Sequence, residues 1–403
     1  PPTPIHLIRS HASPVSAVCF SDDNERIYSG DSSGLVVITS TRSLRALASW
    51  NAHTDGILGI QEWNEQLITH SRDHKLHVWK RPTQGHSSVG DSALLPGLPN
   101  PALAYSMDVN SLNYCRFSLL PLGKSSPIAA EEALIALPNL IESSLADIWM
   151  LPSQERIHAA IGKGKLDSLP MPGTDGRGIK NSTGIIMSMH LLPGRPPMGA
   201  APSSSESRSK HPQLLTSYEN GSVSMWQYSV DKEKSIEGIG WERLWSTKMH
   251  VESGLLMAMA ASANHHLALS VSADHLIARY NLAALDDDAN SVGAACTAHR
   301  TKRPGNGSIA LREDGRVCAV GGWDGKIRLY SAKTLKPLGT LVYHKDSVQA
   351  IAWARLPQHR PMEVLKDCDS EDDMSSAEKE NRERWLVSGG KDGRLAIWGL
   401  MEF

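Results

Sequence analysis

Residues 320–330 read VGGWDGKIRLY, which is an apolar start, an Asp-Gly turn and a second run that ends in an aromatic residue. This order is typical of two antiparallel strands joined by a tight turn. The same order recurs at residues 388–398, SGGKDGRLAIW, and at residues 69–79, THSRDHKLHVW, with the Asp at the same distance before the aromatic residue. Because one supersecondary unit is repeated along the chain, the sequence predicts an array of similar sheets.

The repeat has the signature of a WD-type propeller blade, a four-stranded sheet with a Gly-His-like dipeptide early and a Trp-Asp-like dipeptide late. The turn Asp can accept hydrogen bonds from backbone N–H groups and from a His on the preceding connection. A Ser or Thr and the Trp indole extend this network, and a complete network fixes how the strands stack. Two copies carry the full set and a third differs only in its aromatic: His53, Thr69, Asp73 and Trp79; His344, Ser388, Asp392 and Trp398; His250, Ser270, Asp274 and Tyr280.

Four weaker copies complete the series. They are Thr216, Asn220 and Trp226; Asp324 and Tyr330, with Val320 at the hydroxyl position; His11, Ser29, Ser33 and Thr39, without Asp or aromatic; and, weakest, Asn139, Ser143 and Trp149. The sequence therefore predicts an all-β, seven-bladed propeller in one domain over residues 1–403. A strand predicted within residues 5–11 would pair with the last blade and close the ring, which removes a free sheet edge.

Three stretches lie outside the predicted sheets, at about residues 83–101, 194–212 and 365–384. They are rich in Ser, Gly, Pro or charge, and we expect flexible loops because such segments bury little apolar surface. The last stretch begins with acidic residues, and a short helix is expected over residues 377–384. Ser370 precedes a Glu-Asp-Asp run that suits an acidophilic kinase, so it is a candidate phosphosite; the alternative is a solvated loop without a specific role.

Composition argues against several classes of function. The net charge of −2 shows no bias toward nucleic acid or membrane surfaces, and no apolar run is long enough for a membrane span. The Pro-rich start lacks the apolar core of a secretion signal. The five cysteines are odd in number and lack metal-ligand spacing, which favours reduced thiols. We predict no catalytic, cofactor or metal site, and we interpret the Ser/Thr, His and Asp sets as folding devices rather than nucleophiles.

Four parts of the sequence resemble a known family. They are HTDGIL (53–58) with THSRDHKLHVW (69–79); ALPN (136–139) with DIWMLP (147–152); GIIMSMHLL (184–192) with YENGSV (218–223); and GWDGKIRLYSAKTLK (322–336). In this order the segments resemble the fungal ASTRA-associated WD-repeat family, which is similar to an animal WD-repeat protein described as G-protein-β-subunit-like.

The resemblance implies a non-enzymatic scaffold subunit of the nuclear ASTRA complex, linked to chromatin remodelling, telomere maintenance and maturation of phosphatidylinositol-3-kinase-related kinases. The implied partners are protein subunits of that assembly, including kinase co-chaperone components and a phosphatidylinositol-3-kinase-related protein. No direct nucleic-acid or membrane partner is expected. The implied location is the nucleus, with the cytoplasm left open. Two alternatives remain: a substrate adaptor of a ubiquitin ligase, and a propeller hydrolase, which would need a pocket with an activated nucleophile.

A candidate partner-binding face follows from the turns. In WD-type propellers the residue just before the turn Asp points to the rim of one face, and here these residues are Arg72, Trp323 and Lys391. An exposed Trp is costly for solubility and is enriched at interface hot spots. We therefore predict that Trp323, with Arg72 and Lys391, binds a partner. The alternative is that Trp323 packs on the adjacent blade.

Overall fold

The chain divides into two compact units, residues 1–106 with 307–403 and residues 107–306. The computed structural model describes residues 2–82, 98–124, 131–163, 183–194, 211–230, 234–250, 256–287, 295–356 and 376–401. The described residues form seven four-stranded sheets, and the strands of each sheet that follow one another in sequence pair side by side.

The first unit carries four of the sheets. Two come from the N-terminal part: β2 (Val15–Phe20), β3 (Arg26–Asp31), β4 (Leu35–Ser40) and β5 (Ala46–Asn51); then β6 (Ile57–Trp63), β7 (Gln66–Ser71), β8 (Lys75–Lys80) and β9 (Leu103–Asp108). Two come from the C-terminal part: β22 (Asn306–Leu311), β23 (Val317–Gly322), β24 (Lys326–Ser331) and β25 (Pro337–Val342); then β26 (Val348–Trp353), β27 (Trp385–Gly390) and β28 (Leu395–Gly399), with β1 (His6–Ile8) as the fourth strand.

The second unit carries the other three sheets. They are β10 (Ser118–Lys124), β11 (Glu131–Pro138), β12 (Ala146–Leu151) and β13 (Glu155–Ile161); β14 (Ile186–Leu192), β15 (Gln213–Tyr218), β16 (Ser222–Tyr228) and β17 (Trp241–Lys248); and β18 (Leu256–Ala261), β19 (Leu267–Ser272), β20 (Leu276–Asn281) and β21 (Cys296–Arg300). Two short helices accompany the sheets among the described residues: α1 (Leu282–Asp287) and α2 (Ser376–Glu383).

The second strand of a sheet is buried on both faces. All residues of β3, β15, β23 and β27 are buried, whereas fourth strands such as β25 are mostly exposed. A strand with both faces covered needs apolar or small residues at successive positions rather than strict alternation. Within each unit the apolar cores lie between neighbouring sheets: for example, Ile57 and Ile60 of one sheet pack with Val36 and Ile38 of the preceding sheet.

The N-terminal strand completes the last sheet. β1 pairs antiparallel with β28, with His6 opposite Ile397 and Ile8 opposite Leu395. This pairing gives the edge of β28 a partner and joins the two ends of the chain in one sheet. The predicted strand near the N-terminus and its partner are thereby confirmed, together with the all-β, seven-bladed fold class.

The sheet whose repeat pattern is weakest in the sequence has all four strands. β10–β13 form a four-stranded antiparallel sheet, although its register shifts between Pro121 and Gly123 and again along β12. The insertions predicted at 83–101, 194–212 and 365–384 lie largely outside the described residues, and so does Ser370. Where the third stretch is described, it forms α2, close to the bounds predicted for a short helix.

Candidate functional site

The sheet of β6–β9 contains a complete polar network. Asp73, at the β7–β8 turn, lies 3.0 Å from Nδ1 of His53, and the other ring nitrogen lies 2.8 Å from the hydroxyl of Thr69. The indole N–H of Trp79 donates to that hydroxyl at 2.9 Å. Since a carboxylate only accepts, His53 donates through Nδ1 and accepts from Thr69 through Nε2. The network ties the connection before β6 to β7 and β8.

The last sheet repeats this arrangement. His344 Nδ1 lies 3.1 Å from Asp392, its Nε2 lies 2.9 Å from the hydroxyl of Ser388, and Trp398 donates to the same hydroxyl at 3.0 Å. The backbone N–H of Lys345 also donates to Asp392 at 3.2 Å. The structure thus brings together all four residues that the sequence grouped here.

In the sheet of β18–β21, tyrosine takes the place of tryptophan. His250 lies 2.9 Å from Asp274 and 2.8 Å from the hydroxyl of Ser270, which lies 3.0 Å from the phenolic oxygen of Tyr280. Tyr280 is fully buried, and burial raises the pKa of its hydroxyl. A neutral phenol can both donate and accept, so Tyr280 can hydrogen-bond the serine hydroxyl as the tryptophan indole does in the sheets of β6–β9 and β26–β28.

The first sheet has an Asp that the sequence pattern missed. The spacing placed Ser33 at the Asp position, but Asp31, two residues earlier, lies 2.9 Å from Nδ1 of His11. His11 Nε2 lies 2.8 Å from the hydroxyl of Ser29, and Asp31 also accepts from the backbone N–H groups of Ser33 and Leu35. The interpretation of this copy as lacking an Asp is therefore wrong. The signal was the Asp-Ser-Ser-Gly turn, whose Asp can accept from N–H groups that follow it.

The sheet of β10–β13 uses amides in place of a histidine. Asn139 donates to the fully buried Asp147 at 2.8 Å, and Asp147 also accepts the backbone N–H of Ala160 at 2.8 Å. Asn110, from the connection before β10, donates to the carbonyl of Asn139 at 2.8 Å and to the hydroxyl of Ser143 at 3.1 Å. Asn110 and Asp147 were not found from the sequence, because neither stands at the expected distance from an aromatic residue.

Two further sheets carry partial versions. In the sheet of β14–β17 the indole of Trp226 donates to Thr216 at 3.0 Å, and Asn220 accepts the backbone N–H of Ser222 at 2.9 Å. In the sheet of β22–β25, where Val320 is buried, Asp324 forms a two-point ion pair with Arg328, at 2.6 and 3.1 Å. Arginine thus replaces histidine as the partner of the turn carboxylate in this sheet.

In the β6–β9 network the electrostatics keep His53 neutral and Asp73 charged. Burial lowers the pKa of His53 to about 4, although the negative charge of Asp73 opposes this shift. Burial also lowers the pKa of His344. For Asp73 burial raises the pKa, but the backbone N–H of Thr54 and the His53 ring outweigh it, and the result is a lowered pKa. The hydroxyls of Thr69 and Ser388 belong to residues with 0% exposure, so these hydroxyls cannot meet a substrate.

The residues proposed for partner binding lie in turns at one edge of the sheets of the first unit. Arg72, Trp323 and Lys391 occupy the β7–β8, β23–β24 and β27–β28 turns, and all three are exposed. Trp323 is 49% exposed. Its indole covers Gly307: a Cβ at Gly307 would lie 3.2 Å from Cδ1 and Nε1 of the indole. The ring therefore rests on the first strand of its own sheet, with half of its surface open.

These turns meet across neighbouring sheets. Gly325, Gly393 and Gly34 all have positive φ, between +70° and +89°, and close the β23–β24, β27–β28 and β3–β4 turns. A Cβ at these glycines would lie 2.3 Å from the carbonyl oxygen of His344, 3.1 Å from that of His11 and 2.2 Å from that of His53, respectively. Each turn thus abuts the connection that enters the next sheet: a Cβ at Gly325 or Gly34 would clash with it, and one at Gly393 would make a tight contact. We call the edge formed by these turns and connections the turn face.

Backbone contacts place the candidate residues along this turn face. A Cβ at Gly307, beneath Trp323, would lie 3.5 Å from the carbonyl oxygen of Val348, and the backbone N–H of Lys391 donates to the adjacent residue, Ser347, at 2.9 Å. The turns that carry Trp323 and Lys391 therefore belong to adjacent sheets. Arg72 is farther along, where its N–H donates to the carbonyl of Gly56 at 3.0 Å.

In the part of the chain that the structure describes, no group of three or more His, Cys, Asp and Glu side chains could hold a metal ion. Neither of the described helices is long and apolar enough to span a bilayer. Burial raises the pKa of the thiols of Cys115, Cys296 and Cys318 to about 12, 11 and 12, which keeps them protonated at neutral pH.

Comparison with known proteins agrees with the repeat. The family model described as WD domain, G-beta repeat matches residues 2–39 and 302–331, which include the first-sheet network and the Trp323 turn. The chain is a WD-repeat β-propeller. Among its relatives, ASTRA-associated protein 1 of Verticillium alfalfae is 29% identical over 99% of this propeller and 93% of its own length.

More distant relatives cover nearly as much of the chain. ASTRA-associated protein 1 of Schizosaccharomyces pombe is 28% identical over 87% of this propeller and 93% of its own length. Guanine nucleotide-binding protein subunit beta-like protein 1 of Mus musculus is 24% identical over 99% of the propeller and 97% of its own length. The resemblance to the fungal family and to its animal relative is confirmed.

Proposed function

We propose that this propeller is a non-enzymatic scaffold subunit of an ASTRA complex. The observation that carries the proposal is similarity along almost the whole chain to proteins named ASTRA-associated protein 1. The networks support a scaffold, because the hydroxyls of Thr69 and Ser388, which bond to the network histidines, are buried and already hydrogen-bonded. These two hydroxyls stabilise the sheets and are not placed to act as nucleophiles.

The proposal extends to the roles that the family resemblance implies. In this view the propeller supports chromatin remodelling, telomere maintenance and maturation of phosphatidylinositol-3-kinase-related kinases in the nucleus. Its partners are proteins of the assembly, including kinase co-chaperone components and a phosphatidylinositol-3-kinase-related protein. The turn face, with Arg72, Trp323 and Lys391, is the surface that binds them, since an exposed Trp beside cationic side chains is typical of an interface hot spot.

Affinity purification of the tagged chain from its own cells, followed by identification of the co-eluting proteins, tests this proposal. We expect ASTRA subunits to co-elute with the natural chain and to be depleted with Trp323→Ala. The matched control is Leu338→Ala, which removes a side chain of similar exposure (43%) from the far end of the same sheet. Co-elution of a ubiquitin ligase core without ASTRA subunits would contradict the scaffold proposal. Retention of all subunits by folded Trp323→Ala would contradict the assignment of the face.

A further inference from the structure

The strand that joins the two ends of the chain supports the contact between the last and first sheets unevenly. Apolar side chains of both sheets, among them Phe20 and Val387, share one core, and we call this contact the seam. β1 has three residues, whereas the fourth strands of the other sheets have five to eight. It pairs with Leu395, Ala396 and Ile397, the residues of β28 nearest the β27–β28 turn. β1 therefore supports the seam at the turn end and leaves the opposite end, the far end, to other interactions.

At the far end, the chain that leaves the last sheet is held by both neighbouring sheets. The backbone N–H of Arg355 donates to the side-chain oxygen of Asn24, and the Asn24 amide donates to the carbonyl of Arg355, both at 2.8 Å. On the other side, Glu313 of the β22–β23 turn accepts from the Arg355 guanidinium at 2.9 Å and from the N–H of Leu356 at 2.7 Å. The last sheet is thus tied to the first sheet through the backbone of Arg355.

Asn24 is placed for this contact by its turn. It lies between β2 and β3 with a φ of +58°, in the left-handed region that asparagine adopts more readily than most residues. The β6–β7 turn of the next sheet has Asn64, with a φ of +48°. Asn64 is exposed, whereas Asn24 is only 8% exposed. The two asparagines share their turn and backbone conformation, and they differ in burial because the backbone of Arg355 covers Asn24.

The chain that returns to the last sheet contacts the same part of the first sheet. The hydroxyl of Thr41, which follows β4, donates to the carbonyl of Asn24 at 2.7 Å, and the carbonyl of Thr41 accepts from Arg382 at 3.3 Å. Arg382 is buried, lies 5.4 Å from the ring centre of Trp385, and also donates to the carbonyl of Glu378 in α2 at 3.0 Å. Asn24 and Thr41 thus connect the outgoing and returning ends of the insertion between β26 and β27.

We propose that Asn24, Thr41, Arg355 and Arg382 form a latch that closes the propeller a second time, at the far end of the seam. The two ends of the insertion hold the first sheet, while β1 holds the turn end. Opening of the seam breaks the latch and the β1 pairing together, so loss of the latch makes opening more frequent along the whole seam. The latch is a device for closure and does not depend on which proteins the propeller binds.

Hydrogen exchange of the full chain, measured by mass spectrometry on peptides from β1 and β28, tests the latch. Asn24→Gly removes the side-chain amide and keeps a residue that tolerates positive φ. We expect the β1 and β28 amides to exchange about tenfold faster, because loss of two hydrogen bonds shifts the opening equilibrium by about this factor. The matched control is Asn64→Gly, the same change in the equivalent turn of the next sheet, and it should alter these rates by less than about twofold.

A second pair of variants tests the returning end of the insertion. Arg382→Met keeps an apolar side chain and removes the hydrogen bond to Thr41, so the β28 amides should exchange about threefold faster or more. Arg384→Met makes the same change at a half-exposed arginine, which pairs with Glu380 instead, and should have a smaller effect. Amides of β15, in the second unit, should keep their rates in all four variants.

Three outcomes would overturn the latch. Faster exchange in Asn24→Gly that is confined to the β2–β3 turn would show a contact of local importance only. Equal effects of Asn24→Gly and Asn64→Gly on β28 would show that the contact with Arg355 does not hold the seam. An equal increase in β15 would assign the effect to a general loss of stability. Acceleration in β1 and β28 by both Asn24→Gly and Arg382→Met, with β15 and the controls unchanged, is the result expected of the latch.

Discussion

Single side chains decide whether each sheet holds its polar network, and the sequence located most but not all of them. In the last sheet, His344, Ser388 and Asp392 meet as the spacing indicated, because the turn between β27 and β28 has the expected length. In the first sheet the carboxylate that accepts from the network histidine is Asp31, which is 1% exposed and precedes the expected position. A carboxylate at either place in a tight turn can reach the same histidine, and a fixed spacing cannot recognise both.

The role of Asp31 can be tested against that of Ser33. Asp31→Ala removes the partner of a buried His11 and the acceptor of two backbone N–H groups, so we expect the free energy of unfolding to fall by about 1–3 kcal/mol. Ser33 is exposed and its hydroxyl donates only to Asp31, so Ser33→Ala should cost less than about 1 kcal/mol. Urea unfolding of both variants measures the difference. A larger loss for Ser33→Ala would restore the pattern read from the sequence.

Exposure of Trp323 could not be decided from the sequence alone. The hairpin sets the backbone position of Trp323. The surroundings of its indole depend instead on β22, where Gly307 lies beneath the ring. A larger residue at that position would lift the ring or leave it no room. The partner of Asp324 also lay outside the repeat pattern, because Arg328 stands on β24 rather than on the preceding connection.

The strands and turns were more predictable than the networks. Repetition identified seven sheets because each needs a tight turn between its second and third strands, and such turns leave Gly, Asp and Asn at recognisable places. The pairing of β1 with β28 followed from the same argument, since a sheet of β26–β28 alone would expose an edge. The insertions were found by composition, but composition does not specify a structure for them.

Alanine substitutions at two glycines can distinguish the cost of backbone strain from the cost of disturbing the contact between a turn and the next sheet. Gly325 and Gly315 have nearly equal φ, +73° and +68°, but a Cβ at Gly325 would lie 2.3 Å from the carbonyl oxygen of His344, whereas nothing lies within 4 Å at Gly315. Gly315→Ala should therefore cost about 1 kcal/mol through φ alone. Gly325→Ala should cost clearly more, about 2–4 kcal/mol, because the turn must also move away from the next sheet.

Urea unfolding of the two alanine variants is the measurement, and near-ultraviolet circular dichroism checks that each is folded. If both variants lose the same stability, the close approach of the β23–β24 turn to the connection before β26 does not contribute to stability. A selective loss for Gly325→Ala would show that the turn face is held rigid by backbone contacts between sheets, as a preorganised binding surface requires.

At the scale of the whole molecule, histidines buried without charge couple stability to pH. Burial lowers the pKa of His53, His158 and His190 to about 4 and that of His70 to about 3. These histidines occur in both units, so acid should lower the stability of each unit. The lowered pKa values of Asp73 and Asp31, which pair with histidines, keep these carboxylates charged to lower pH, so the first loss of stability comes from the histidines.

The sign of the effect follows from the difference between folded and unfolded pKa values. A histidine with an unfolded pKa of about 6.5 and a folded pKa of about 4 binds its proton first in the unfolded chain, so the free energy of unfolding falls as the pH drops from about 6.5 toward 4. The loss is about 2 kcal/mol per such residue at pH 5. It should appear as a lower urea midpoint at pH 5 than at pH 7.5.

His158 offers a test of this coupling, because burial alone lowers its pKa. It is 3% exposed, lies 2.9 Å from the hydroxyl of Ser235 and packs against Tyr228 and Trp241 at ring distances of 4.4 and 5.3 Å. His158→Gln keeps a polar group for Ser235 but cannot titrate. The variant is expected to start less stable at pH 7.5 and to lose less on going to pH 5 than the natural chain. If both proteins lose the same free energy of unfolding between the two pH values, protonation of His158 is not among the events that weaken the fold in acid.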